Sequence, residues 1–247
     1  MREKLAYETE KRDEPRLGLI VLQSDETIEN EFRRVIPPEA TLHISRVPSD
    51  PEVTTETLSA MENHIGQSAR LLPLPASFDA VGYGCTSGTS VIGIAKIAAL
   101  VRSGTAAKAV TEPVSALLAA CEHLGISRLA FLSPYIEDVS SRMRAVLAGN
   151  GVDTPVFGSF ETSEEALVAR ISQASTARAA EQLAGDSQAE AVFISCTNVR
   201  TLDVIVDIEQ RTGKPVLSSN QVLAWHMCRL GGVAPQGSGF GSLLSGG

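Results

Sequence analysis

The sequence predicts an α/β protein made of two similar halves, each built on a four-stranded parallel sheet. Short apolar runs alternate with longer stretches of helical period, which is the pattern of βα units. The chain also repeats itself. Arg16-Leu17-Gly18-Leu19-Ile20-Val21-Leu22, followed later by Ala80-Val81-Gly82-Tyr83-Gly84-Cys85-Thr86, is echoed at nearly the same separation by Arg128-Leu129-Ala130-Phe131-Leu132 and Ala191-Val192-Phe193-Ile194-Ser195-Cys196-Thr197. Self-similarity on that scale marks two copies of one unit. Each copy closes its second motif with a cysteine, and a pseudo-twofold axis between the copies would bring the two thiols to one cleft.

In chain order, strands are expected at 17–22, 41–46, 80–83, 109–111, 128–132, 153–160, 191–194 and 215–217. Helices are expected between them at 27–35, 54–72, 89–103, 114–124, 136–150, 163–184, 201–212 and 220–230. The first helix is announced by Ser24, Asp25 and Thr27, all good N-caps. The helix at 114–124 runs into Gly125, that at 136–150 into Gly149-Asn150-Gly151, and that at 201–212 into Gly213-Lys214-Pro215, which ends it and launches the last strand. Four βα units per half put the seam near Ala109 to Val114. The final helix and tail return to the first lobe, giving residues 1–110 plus 220–247 as one lobe and 111–219 as the other. The glycine-rich segment 237–241 reads as a flexible or tightly turning terminus.

Composition narrows the function classes. At 247 residues, with 43% hydrophobic and 20% charged residues, the chain is a soluble globular protein. A formal charge of −8 argues against nucleic acid or an anionic membrane as partner, while a small anionic substrate remains compatible because backbone N–H groups can oppose the global field. Residues 1–16 have no apolar core of the signal-peptide kind, and the longest apolar stretch, 91–101, is short and broken by Lys96. A cytoplasmic protein with reduced thiols is expected, and both a monomer and a homo-oligomer fit. The four cysteines form no CxxC pair and no Cys/His cluster, and His43, His64, His123 and His226 show no ligand spacing. Gly82-Tyr83-Gly84 lacks the third glycine of a dinucleotide fingerprint, and neither a phosphate loop nor a nucleophile elbow is present. No cofactor and no metal are expected.

Chemistry concentrates at the strand ends. Cys85 and Cys196 each sit where a buried strand stops, among small polar residues (Thr86, Ser87; Thr197, Asn198) whose backbone N–H groups can hold a thiolate or a carboxylate. Cys121 and Cys228 fall inside amphipathic helices and read as small buried hydrophobes. Ligands of open parallel sheets bind beyond the carboxyl ends of the strands, which adds Ser24 and Asp25 after the first strand, Tyr135 after the fifth, and Ser219 after the last. Each has an alternative: Ser24, Asp25 and Ser219 as helix caps, Tyr135 as a packed aromatic with a solvated hydroxyl.

These motifs, together with Ser133-Pro134-Tyr135, Pro215-Val216-Leu217-Ser218-Ser219 and Gly239-Phe240-Gly241-Ser242-Leu243, resemble the aspartate/glutamate racemase superfamily, in the branch of maleate cis–trans isomerases and arylmalonate decarboxylases. The resemblance implies two Rossmann-like halves with the active site between them, Cys85 and Cys196 as paired thiols, a substrate carboxylate held by Thr86, Ser87, Thr197 and Asn198, and a hydrogen bond from Tyr135. Arylmalonate decarboxylases have glycine where this chain has Cys85, which favours isomerisation over decarboxylation here. Maleate isomerases have asparagine where this chain has Asp25, which points toward a nitrogen-bearing substrate. Within the branch the chain resembles the ectoine-utilisation proteins most, through Thr111-Glu112-Pro113 and Ser218-Ser219-Asn220-Gln221. The expected activity is racemisation or epimerisation of a small carboxylate, one thiolate removing a proton and the opposite thiol returning one. That step requires a site that lowers the thiol pKa. The alternatives are cis–trans isomerisation through a covalent cysteine adduct and a non-catalytic small-molecule binding protein.

Overall fold

The computed structural model describes residues 4–11, 13–74, 76–237 and 239–245. Ser238 of the glycine-rich tail, and Met1, Arg2, Glu3 and Arg12 of the amino-terminal stretch, lie outside the described residues. The first half contains β1 (Arg16–Leu22), α1 (Ile28–Val35), β2 (Thr41–Val47), α2 (Thr55–Ala60), α3 (Glu62–Ala69), β3 (Ser77–Gly84), α4 (Thr86–Ile92), α5 (Ile94–Gly104), β4 (Ala106–Thr111) and α6 (Pro113–Leu124). The second contains β5 (Arg128–Tyr135), α7 (Glu137–Ala148), β6 (Asp153–Thr162), α8 (Glu165–Val168), α9 (Gln173–Ala184), β7 (Ala191–Ile194), α10 (Ile205–Thr212), β8 (Val216–Ser218), α11 (Ser219–Gly231) and α12 (Ser242–Ser245).

The two sheets have the orders β2-β1-β3-β4 and β6-β5-β7-β8, with every pair parallel. The same order twice is the internal repeat made visible. Central strands β1 and β7 are buried almost throughout, because helices cover both faces of a parallel sheet. Phe131 on β5 meets Phe157 and Phe193 of its neighbours at ring-centroid distances of 6.3 and 5.5 Å. One apolar core runs through both halves, and α11 packs on α1, β3 and α6 of the first.

Three expected helices break. The stretch 54–72 divides at Met61 into α2 and α3, and 89–103 starts earlier, at Thr86, and divides at Gly93, whose φ of +94° suits glycine. The stretch 163–184 becomes α8 and α9, because Ser163 and Glu164 pair with the first half instead: the Val53 N–H donates to the Ser163 carbonyl at 2.8 Å and the Glu165 N–H to the Pro51 carbonyl at 3.0 Å, around an antiparallel bridge of Glu52 and Glu164. The expected C-terminal glycines hold, with Gly125 and Gly213 left-handed at φ +68° and +69°.

Helices α3 and α5 touch where Gly104 meets Gly66. A Cβ on Gly104 would strike the Gly66 carbonyl and lie 2.6 Å from the Ala69 Cβ. Gly104→Ala should therefore destabilise the fold by about 1–3 kcal/mol, measured by urea unfolding; an unchanged midpoint would show that these helices separate freely.

Candidate active site

Parallel pairing sets the two cysteines at equivalent places. Val21 pairs with Gly84, and Leu132 with Ile194, so Cys85 and Cys196 each follow the strand that flanks the first strand of its half. Cys85 is the N-cap of α4, and its Sγ accepts the Gly88 N–H at 3.2 Å. Gly88 has no room for a side chain, since a Cβ would lie 2.9 Å from Cys85 Sγ and 3.0 Å from the Tyr83 hydroxyl. Cys196 has φ +95°, a left-handed backbone rare for a residue with a Cβ. Its conformation is fixed by three neighbours: its N–H donates to Ser219 Oγ at 3.0 Å, its Sγ accepts the Asn198 N–H at 3.3 Å, and Tyr135 Oη lies 3.0 Å from the sulfur.

Hydrogen bonds across the seam bring the two cysteine loops together. Thr86 Oγ1 donates to Ser219 Oγ at 2.8 Å, the same oxygen that receives the Cys196 N–H, and Thr197 Oγ1 donates to the Gly84 carbonyl at 3.3 Å. Glu31, buried on α1, accepts the N–H groups of Thr201 and Leu202 at 2.7 and 3.0 Å and Asn220 Nδ2 at 2.8 Å; Asn220 in turn donates to the Thr197 carbonyl at 2.8 Å. The loop after β7 is thus anchored to α1 of the first half.

Two carboxylates share this interior. Glu165 accepts the Tyr135 hydroxyl on Oε1 at 2.5 Å and Asn198 Nδ2 on Oε2 at 2.7 Å. Asp25 accepts the Thr27 and Ile28 N–H groups on Oδ1, both at 2.8 Å, and its other oxygen, Oδ2, is buried with no hydrogen-bond partner. Asp25 is therefore a helix cap on one oxygen and an open acceptor on the other. Both carboxylates act electrostatically on both thiols. The site is closed: Cys85, Cys196, Asp25 and Glu165 are 5%, 4%, 3% and 3% exposed.

Burial dominates the protonation states. It pushes the Cys85 thiol from an ordinary 9.0 up to about 12, opposed by the Gly88 N–H and reinforced by the charges of Glu165 and Asp25. Cys196 is raised by burial and then by Glu165, with Tyr135 and Asn198 working the other way. Asp25 and Glu165 are themselves raised, first by burial, with the N–H groups of Ile28 and Thr27, the Thr197 hydroxyl and the Arg46 charge opposing at Asp25 and the hydrogen bonds of Tyr135 and Asn198 opposing at Glu165. The sequence led us to expect a site that lowers the thiol pKa; in the ligand-free protein burial and the two carboxylates do the reverse, and the thiols are protonated at neutral pH.

Of the residues singled out from sequence, Cys85, Cys196, Asp25, Thr86, Tyr135, Thr197, Asn198 and Ser219 come together. The hydroxyls of Thr86 and Thr197 join the two halves, and the amide of Asn198 is engaged by Glu165 and by the Glu26 N–H at 2.9 Å. Ser87 stands in the first turn of α4, whose leading N–H groups have no intrahelical acceptor. Ser24 does not join them: its hydroxyl lies 3.1 Å from that of Ser49. The Tyr135 hydroxyl is buried between Glu165 and Cys196 and is not solvated. Sequence reasoning missed Glu165, which reads as an ordinary first-turn acid in Ser163-Glu164-Glu165-Ala166. Cys121 and Cys228 are buried in α6 and α11, as their helical positions implied.

Residues 49–244 match the sequence model of the arylmalonate decarboxylase family. The chain belongs to that family. It is 25% identical over 245 residues to a maleate isomerase of Pseudomonas putida, covering 94% of this chain and 97% of the relative. It is 33% identical over 138 residues to the arylmalonate decarboxylase of Bordetella bronchiseptica, covering 54% and 57%. Among solved structures, a liganded glycine-to-cysteine, cysteine-to-serine double mutant of arylmalonate decarboxylase superposes with a TM-score of 0.83 at 26% identity, over 93% of this chain and 98% of the other. A maleate cis–trans isomerase mutant of Nocardia farcinica carrying a covalently bound succinylcysteine intermediate gives 0.80 at 23% identity, over 93% and 98%. The α/β fold of two parallel four-stranded sheets is that of this family.

The strain at Cys196 has a measurable consequence. Cys196→Gly and Cys196→Ala both remove the thiol, and only glycine relieves φ +95°. The glycine variant should be the more stable by about 1 kcal/mol in urea unfolding; a less stable glycine variant would mean that the backbone here is relaxed.

Proposed function

We propose that the protein is a cofactor-independent isomerase, a racemase or epimerase, of a small carboxylic acid that also carries nitrogen, with Cys85 and Cys196 as its proton-transfer pair. The observation that carries this reading is the arrival of two free cysteines, from equivalent strand ends of two repeated halves, at one buried seam. One thiolate takes the proton next to the substrate carboxylate, N–H groups around Thr86, Ser87 and Thr197 stabilise the enolate-like charge, and the opposite thiol returns a proton to the other face. The Gly88 N–H on Cys85 and the Asn198 N–H on Cys196 are placed to stabilise each sulfur as it becomes anionic. The nitrogen is inferred from Asp25, whose open oxygen would repel a second substrate carboxylate and accept an N–H. The chemistry needs reduced thiols, which fits a cytoplasmic enzyme.

A second reading is cis–trans isomerisation, in which one cysteine adds to a double bond and leaves after rotation. It is favoured by the match over 94% of the chain to a maleate isomerase. A mass adduct on Cys85 or Cys196 formed with an unsaturated acid would select it, whereas solvent deuterium appearing at the inverted carbon selects proton transfer. A role in ectoine or hydroxyectoine breakdown rests on two motifs that both act as helix caps: Glu112 accepts the Val114 and Ser115 N–H groups at the start of α6, and Ser218 with Gln221 forms the capping box of α11. They support the fold more directly than the substrate.

If the thiols form one unit, Cys85→Ala and Cys196→Ala should each lower turnover by about 10²–10⁴-fold, and the double variant should be little worse than either. Cys121→Ala and Cys228→Ala should remain active. Turnover retained in either seam variant would refute the paired-thiol mechanism.

A further inference from the structure

Asp25 and Glu165 are buried carboxylates on opposite halves, and neither has a cation. Among the described residues no lysine or arginine side chain hydrogen-bonds either carboxylate. Arg46, the one cation whose charge bears on Asp25, has its guanidinium committed to the carbonyls of Leu22, Gln23 and Asp25, each at 3.0 Å, and to the Glu29 carboxylate at 2.5 Å. The charge of Asp25 adds to burial in raising the Glu165 carboxyl, so Glu165 lies within the field of Asp25. Asp25 Oδ2 has no hydrogen-bond partner on a residue 3% exposed, because the nearby Thr197 hydroxyl, which lowers the Asp25 pKa, donates to the Gly84 carbonyl at 3.3 Å. Glu165 has one donor on each oxygen, Tyr135 and Asn198, and a carboxylate oxygen can take a second. A buried acceptor left empty costs free energy unless an N–H or O–H fills it, and two acids facing the same interior favour a filler that brings positive charge.

We infer that Asp25 and Glu165 together form the binding site for a nitrogen cation of the substrate, one that carries N–H donors, such as an amidinium or a protonated amine. The inference sharpens the nitrogen-bearing substrate proposed above and adds Glu165 as a specificity-determining residue. It also gives the substrate a part in switching on its own catalyst. The bound cation would offset the part of the thiol shift that Asp25 and Glu165 add to burial, so ionisation of a thiol is easier with substrate present than in the empty site. An anionic dicarboxylate lacks this group and meets two acids instead.

Acetamidinium tests the inference directly, with neutral acetamide as its isostere and tetramethylammonium as a cation without N–H donors, each followed by thermal melting at constant ionic strength. Acetamidinium should give a saturable rise in melting temperature that the other two do not. Asp25→Asn keeps the helix cap, since the amide oxygen still accepts the Thr27 and Ile28 N–H groups, and should weaken the response by about tenfold or more; Glu165→Gln should act the same way wherever circular dichroism shows it folded. Cys85→Ala and Cys196→Ala should keep the response, so cation binding without isomerisation would separate a failure of the mechanism from a failure of this site. No saturable response to acetamidinium, an equal response to acetamide, or an unchanged response in Asp25→Asn would overturn the inference.

Discussion

Two carboxyl groups buried without a counter-charge are the constraint on which the rest of this structure depends. Asp25 and Glu165 lie with two thiols in a buried interior, and the environment stabilises them with hydrogen bonds from N–H groups, an amide and a phenol. Those bonds offset part of the desolvation cost and leave the carboxylates raised. Each thiol inherits that field. A closed site of this kind is inert toward oxidants and electrophiles until something enters that changes its electrostatics, because the thiolate and not the thiol is the reactive form.

Duplication explains how such a site arises at the junction of two halves. Each parallel sheet directs the carboxyl ends of its central strands toward the same side, and the shared strand order makes the two cysteines equivalent by position. Equivalence does not extend to their surroundings. Cys85 caps a helix with ordinary backbone angles, beside the Tyr83 hydroxyl, whereas Cys196 occupies a strained loop against Tyr135 and Glu165. In the proposed reaction one sulfur accepts a proton while the other donates one, and the two exchange roles in the reverse direction. The single Ser219 oxygen that joins Thr86 to the Cys196 backbone couples the position of one loop to the other.

Much of this was legible in the chain. The inner strands announce themselves as short apolar runs, because strands covered on both faces must be apolar at successive positions, whereas the edge strands β2, β4 and β6 carry polar residues and are only partly buried; the repeated strand-end cysteines were visible without a structure. The misreadings have a common cause in tertiary contact. Residues 163–165 carry helix-compatible composition, yet they pair with 51–53 across the seam, and that pairing is what carries Glu165 inward. Nothing local distinguishes Glu165 from Glu164, which is exposed. Asp25 was legible only as a choice between cap and ligand group, and a carboxylate with two oxygens does both. Ser24, one residue before it, faces Ser49 instead. The expected lowering of the thiol pKa failed because sequence shows the N–H donors at a strand end and conceals how deeply they are buried.

The central electrostatic claim is tested most directly by titrating the thiols of the ligand-free protein through thiolate absorbance near 240 nm. With Cys85, Cys121 and Cys228 each held up to about 12 and Cys196 raised as well, no thiolate step should appear below about pH 9, and the steps of Cys85 and Cys196 should move down in the Asp25→Asn variant as one opposing charge is removed. A thiolate with a midpoint near neutral pH in the empty wild-type protein would contradict the account.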